Sequence, residues 1–294
     1  RLMTLAQAAA LVHDGDHVAL GGFAIARNAV ALAHELVRRG VRGLTISGAV
    51  LGLEADILVG AGCVEGIVYG GGSLDRFGQL ERVNDAVERG QVRVEYASSL
   101  AVTFRYLAGS LGIPYMPIRS LLGSDLLPPL VAAGVAREER DPFTGEPCVL
   151  LRALVPGVAV VHAQSADADG NVRVLGPRWD NDEAVGAAER VIVLAEEIVP
   201  ADEIRAIPEL TLVPSFRTSA VAHVPFGAHP TSVYRRYDHD AEHLALYAEA
   251  TRSQRTFDEY VARYVRGGDH AAYIALVGGD ATLAALRADD RLGY

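Results

Sequence analysis

The stretch at residues 17–40, HVALGGFAIARNAVALAHELVRRG, leaves few folds open to this chain. A short alternating strand at residues 17–20 runs into Gly21, Gly22 and Phe23. An Ala/Leu/Val helix follows and closes on Arg38, Arg39 and a Gly40 stop. Strand, glycine turn and helix in that order are the unit of an α/β sheet. Paired glycines at such a turn let backbone N–H groups approach a ligand with no side chain in the way, and a helix N-terminus behind them favours negative charge. Gly21 and Gly22 therefore mark a place able to hold a phosphate, a carboxylate or a developing oxyanion, or else they merely allow a tight crossover.

The 294 residues suffice for one large α/β domain or two small ones with a sizeable core. Half of them are apolar, yet no apolar run approaches the ~18 residues that span a bilayer, so a soluble protein without a membrane partner is expected. Residues 1–16 lack a basic region followed by an apolar block and a cleavage site, and no signal peptide is expected. Cys63 and Cys148 lie far apart and in no metal spacing, which suits a reducing cytoplasm. A net charge of −10 argues against a nucleic-acid partner, because no basic stripe is present to displace counterions. All 27 basic residues are arginine. The lack of lysine removes Schiff-base chemistry, a Walker lysine and a lysine general base from this chain.

Along the chain, Thr4 is placed to cap a first helix, and a second strand at residues 44–47 ends on Ser47 and Gly48. Glu54 falls in a helical segment and reads as a solvent-facing charge. Residues 60–66, GAGCVEG, imitate a dinucleotide fingerprint, but residues 67–69 read as strand where that motif needs a helix. A strand at residues 92–95 ends on Glu95, expected to pair with Arg93 or Arg105, and leads through Ser98 into an amphipathic helix. Another strand delivers Arg119 and Ser120 into a Gly/Ser loop where open α/β sheets bind ligands. Arg119 there is able to clamp a carboxylate or phosphate, or to pair with a neighbouring aspartate. Residues 137–147 are charged and turn-rich, the composition of a hairpin. His162 lies in an apolar strand at residues 158–163 and reads as a hydrogen-bonded core residue more readily than as a general base. Adjacent Glu196 and Glu197 face opposite sides of a strand and form no acid/base pair. His239, Asp240 and His243 sit at a charged helix start that reads as a solvated face, and no metal site is expected.

With the GGF turn, the Arg119 loop and HAQSADADGNV at residues 162–172 in one chain, the sequence resembles the class I CoA-transferases, specifically their α subunits of the glutaconate type. LTIS at residues 44–47, ILVGAG at 57–62 and GIPYMPIRSLLGSD at 112–125 match as well. The resemblance implies an α/β fold, a three-layer open sheet over residues 1–235 with a C-terminal helical extension, 236–294, packed on the same domain. It implies a homologous β subunit in an α2β2 or larger assembly, with the active site at the interface. In the family's ping-pong chemistry a glutamate attacks an acyl-CoA, forms an acyl anhydride and is captured as a glutamyl-CoA thioester. Coenzyme A thioester is thus a substrate, and no permanently bound cofactor is implied. The nucleophile belongs to a Ser-Glu-Asn-Gly motif of the β subunit. Here the matching place reads Ser47-Gly48-Ala49-Val50, so no catalytic residue is expected in this chain. By the same resemblance Gly21, Gly22 and Phe23 shape the pocket, Ser47, Gly48 and Ser98 line it, and Arg119 with Ser120 orients an acid group of the acyl chain. An oxyanion donor falls to the Ser47 hydroxyl or a backbone N–H. A second branch, resembling steroid-ring CoA hydrolases, carries an acidic residue after the strand matching 92–95. Tyr96, Ala97, Ser98 and Ser99 stand there, which favours transfer over C–C or thioester hydrolysis; a non-catalytic binding subunit is the third reading.

Overall fold

Val, Ile, Leu and Ala fill the central strands on both faces, the pattern of a parallel sheet covered by helices on either side. The computed structural model describes residues 1–289 and 291–293. Among the described residues the strands are β1 (Leu2–Met3), β2 (His17–Leu20), β3 (Leu44–Gly48), β4 (Val64–Tyr69), β5 (Arg93–Tyr96), β6 (Tyr115–Ile118), β7 (Ala136–Arg140), β8 (Pro147–Arg152), β9 (Val158–Ala163), β10 (Ser165–Ala166), β11 (Val172–Arg173), β12 (Arg190–Ala195), β13 (Thr211–Val213) and β14 (Thr218–His223). One sheet runs β1-β14-β12-β9-β2-β3-β4-β5 and is parallel throughout. Alternate residues divide the two cores. Val18, Ile46, Val160 and Ile192 pack beneath the helices Val30–Arg39 and Leu53–Gly60, while Ala19, Val161 and Val193 pack against Ser99–Ser110 and Asn181–Ala187. The result is the three-layer α/β architecture expected from the sequence. Chain order reverses direction between β2 and β9, which places a crevice at their C-terminal ends, where open α/β sheets bind ligands.

Several expectations are corrected by tertiary packing. The helix after the glycine turn begins only at Val30, and a loop of residues 23–29 intervenes. The amide of Ala31, in the first turn of that helix, donates to the Gly227 carbonyl at 2.9 Å, so this N-terminus does not face an anion. The strand delivering Arg119, β6, belongs to a separate antiparallel sheet, β6-β8-β7, in which β7 and β8 form the charged hairpin. The helical extension expected over residues 236–294 is interrupted. Ser253 accepts from the Thr256 amide and starts a new helix, Gln254–Tyr260, after Ala241–Ala250. Asp240 and His243 are buried, not solvated: His229 Nε2 lies 3.1 Å from Asp240, and His243 Nε2 lies 2.9 Å from the Tyr260 hydroxyl. Burial holds the His243 imidazole down at about 4, and so neutral.

The C-terminal helices attach through one buried carboxyl as well as apolar area. Tyr247 donates to Asp56 Oδ2 at 2.8 Å, and the Val83 amide donates to Asp56 Oδ1 at 2.9 Å, with Phe257 and Tyr260 packed into the same core. Tyr247→Phe removes one donor from an enclosed carboxyl, and urea unfolding is expected to show a loss of about 1–3 kcal/mol.

Candidate functional site

The crevice is built from the loops that follow β2, β3, β4 and β5, each tied to the next. The Gly21 amide donates to the Val160 carbonyl at 2.9 Å, and a Cβ on Gly21 would stand 2.6 Å from that same oxygen. Gly22 has φ +108° and lies where a Cβ would come within 2.9 Å of the Ala26 and Arg27 carbonyls. Both glycines therefore serve close backbone approach, and the loop doubles back with Phe23 and Ala26 exchanging amide bonds at 2.9 Å. At the end of β3, the Ala49 amide donates to Asp180 Oδ2 at 2.8 Å, and Ser99 Oγ donates to the Ala49 carbonyl at 3.1 Å. The Leu51 amide donates to the Gly71 carbonyl at 2.9 Å, joining this loop to the one after β4.

Arg27 and Trp179 tie the glycine loop to residues 177–181. The Phe23 ring stacks on Trp179 with centroids 5.2 Å apart, and the Arg27 guanidinium lies 5.0 Å from the Trp179 ring centroid. Arg27 Nη1 donates to the His162 carbonyl (3.2 Å) and Asn181 Oδ1 (3.3 Å), and Nη2 donates to the Pro177 carbonyl (2.8 Å). Burial lowers its pKa to about 10, so it remains charged at neutral pH. Ala24, Arg27 and Trp179 all adopt positive φ, between 51° and 55°, a strained conformation that gathers at functional sites.

Gly21, Gly22, Phe23, Gly48 and Ser98 lie at or just past the C-terminal ends of β2, β3 and β5, but Ser47 turns inward. Its hydroxyl accepts from Tyr106 at 2.6 Å and lies 2.7 Å from His17 Nε2, fully buried between the sheet and the helix Ser99–Ser110. Burial drops the His17 pKa to about 4, so the pair is a structural hydrogen-bond chain. Neither the Ser47 hydroxyl nor the Ala49 amide is free to serve as an oxyanion donor, since Asp180 occupies the second. Ser98 caps its helix, accepting from the Ala101 amide at 3.1 Å. Arg119 and Ser120 are not brought here. Arg119 is 70% exposed at the end of β6 and lies 3.6 Å from Glu146. Glu95 is paired with Arg105, and Glu54, read as a surface charge, is 1% exposed. His162 is a core residue as expected, 2.5 Å from Glu196, whose carboxylate also accepts from Tyr237 and the Phe226 amide. Arg27, Trp179 and Asp180 were not singled out from sequence. Their one signal is that an arginine interrupts the small apolar run after the glycines and that the chain's single tryptophan precedes an Asp-Asn pair.

Comparison with known proteins agrees with this architecture. Residues 2–223 match the family profile described as Coenzyme A transferase. The chain is 36% identical over 90% of its length to a 3-oxoadipate CoA-transferase subunit of Pseudomonas knackmussii, covering 94% of that protein. It superimposes on the crystal structure of glutaconate coenzyme A-transferase from Acidaminococcus fermentans with TM-score 0.94 and 31% identity, covering 100% of this chain and 97% of that one. An uncharacterized protein of Archaeoglobus fulgidus is 37% identical over 96% of the chain, which spans 63% of that relative's length. No helix among the described residues is long and apolar enough to cross a membrane.

Gly22→Ala forces a Cβ against two backbone oxygens at a positive φ. It is expected to cost at least ~1–3 kcal/mol in chemical denaturation and to change the fluorescence of Trp179. Arg119→Ala removes only an exposed pair and is expected to move stability by less than ~0.5 kcal/mol.

Proposed function

Because this chain belongs to the Coenzyme A transferase family, we propose that it is the α-type subunit of a heteromeric enzyme moving CoA between an acyl-CoA and a carboxylate, with the nucleophilic glutamate on a homologous β subunit. The observation that carries this is the state of the carboxylates on or just past the strands forming the crevice. Glu95 is paired with Arg105, Asp180 holds the Ala49 amide, and Glu54 is enclosed. None of these three is poised to attack a thioester, while the glycine loop, Phe23 and Trp179 are arranged to shape one wall of a site that a partner completes. Relatives named as CoA-transferase subunits support the existence of such a partner. We assign Gly21, Gly22, Phe23 and Gly48 to the wall, Ser98 to fixing the adjoining helix, and an α2β2 or larger assembly to the complex. Arg119 and Ser120 remain candidates for orienting an acid group only if the acyl chain reaches the β6-β8-β7 sheet. Two free, buried cysteines fit a reducing cytoplasm.

The test is intact mass spectrometry of this chain and its β partner, mixed with acyl-CoA and quenched with borohydride, which reduces a glutamyl thioester to an alcohol. A modified glutamate on the partner alone is the expected result, and the isolated α chain is expected to consume no acyl-CoA. Turnover without an adduct on either chain would sink the proposal in favour of hydrolysis.

A further inference from the structure

The three-stranded side sheet β6-β8-β7 ends on an open edge. β7 is its last strand, and alternation along the ladder fixes which backbone groups face outward. The Arg152 amide donates to the Val135 carbonyl at 2.9 Å, and the Asp141 amide donates to the Glu146 carbonyl at 2.8 Å. Odd-numbered residues of this stretch therefore bond inward to β8. Pro147, which has no N–H to give, stands opposite Arg140 and agrees with that phase. The N–H and C=O groups of Ala136, Glu138 and Arg140 are left pointing away from β8 along the free edge. Proteins commonly keep such an edge from pairing with proline or with charge. No proline lies in β7, and its charges, in the order Ala136, Arg137, Glu138, Glu139, Arg140, are of both signs.

We propose that β7 is a docking edge for a second copy of this chain: two copies pair antiparallel about a two-fold axis at Glu138, joining their side sheets into one of six strands. Outward-facing groups must meet outward-facing groups, so even-numbered residues stand opposite even-numbered ones. Centring the axis on Glu138 is the register that sets every residue of β7 opposite a residue of β7. Arg137 then faces Glu139 of the second copy, and Glu139 faces its Arg137. Within one chain Arg137 Nη2 already lies 2.6 Å from Glu139 Oε1, so pairing completes a ring of four alternating charges. Glu138 meets its own copy at a hydrogen-bonded position, the wider of the two kinds of site, with Arg140 of the second copy on the diagonal within reach. Centring on Arg137 or on Glu139 instead sets that residue against itself at a non-hydrogen-bonded site, where side chains approach most closely. The Glu139 register would also draw on Asp141, whose carboxylate is committed to the turn by the Phe143 amide at 2.9 Å and the Thr144 hydroxyl at 2.8 Å. The contact is isologous, so it closes at two copies and does not propagate.

Disulfide trapping tests partner and register together. On mild oxidation of the full chain, Glu138→Cys is expected to form a covalent dimer, because the two positions meet on the axis at a separation a disulfide spans. Arg140→Cys is expected to form none, since Arg140 stands opposite Ala136. The native Cys63 and Cys148 are buried and do not compete. Five residues a side make a small interface, so sedimentation of the full chain over a dilution series is expected to show a concentration-dependent monomer–dimer equilibrium. Arg137→Glu and Glu139→Arg are each expected to weaken it by roughly tenfold. The double variant is expected to recover it, because the exchange restores opposite charges across the axis. These measurements do not depend on the transferase reading; in the complex with the β subunit, which does, the same trapping is expected to link two copies of this chain. Equal trapping of both cysteine variants, trapping of neither, or an association indifferent to Arg137→Glu overturns the proposal. Loss of β-subunit binding in Arg137→Glu, with the isolated chain monomeric throughout, overturns it as well and gives the edge to the β subunit.

Discussion

Arg27 is a charged guanidinium inside the protein with no carboxylate within ion-pair distance among the described residues, and the crevice depends on how that charge is accommodated. Removing such a group from water is costly unless its donors are used. Three peptide or amide oxygens, from His162, Pro177 and Asn181, and the face of Trp179 take that role. They come from β9, from the loop after β11 and from the helix Asn181–Ala187. One side chain thus holds the glycine loop of β2 to segments about 150 residues later in the chain.

The same device recurs at smaller scale. Ser47, His17 and Tyr106 join β3, β2 and a covering helix; His162, Glu196 and Tyr237 join β9, β12 and the segment leading to the C-terminal helices. Each set satisfies polar groups that would otherwise be stranded under a parallel sheet. Enclosed polar groups of this kind add little net stability, but an arrangement shifted by one residue would leave them unpaired, so they select one register.

The central strands, the glycine turn, the capping of the first helix by Thr4 and the charged hairpin within residues 137–147 were all legible from residue order. Local periodicity and turn chemistry determine them, and the structure bears them out. Close backbone approach was legible where geometry forces the residue, as at Gly21 and Gly22. Placement was not legible at Arg119, because a strand that delivers a loop to a ligand crevice and one that joins a side sheet have the same sequence pattern. Burial was not legible at Glu54, Asp240 or His243, since a charged residue near a helix start is normally solvated.

The sequence by itself therefore determined the alternation of strand and helix, the family resemblance and the lack of a glutamate at the nucleophile's position. Those properties reside in single segments, where spacing and residue type are sufficient. Tertiary structure alone decided that Arg27, Trp179 and Asp180 meet at the crevice, that Ser47 turns away from it, and that Glu54 is enclosed beneath it. Burial and charge pairing are set by what arrives from elsewhere in the chain, and no local pattern encodes that arrival.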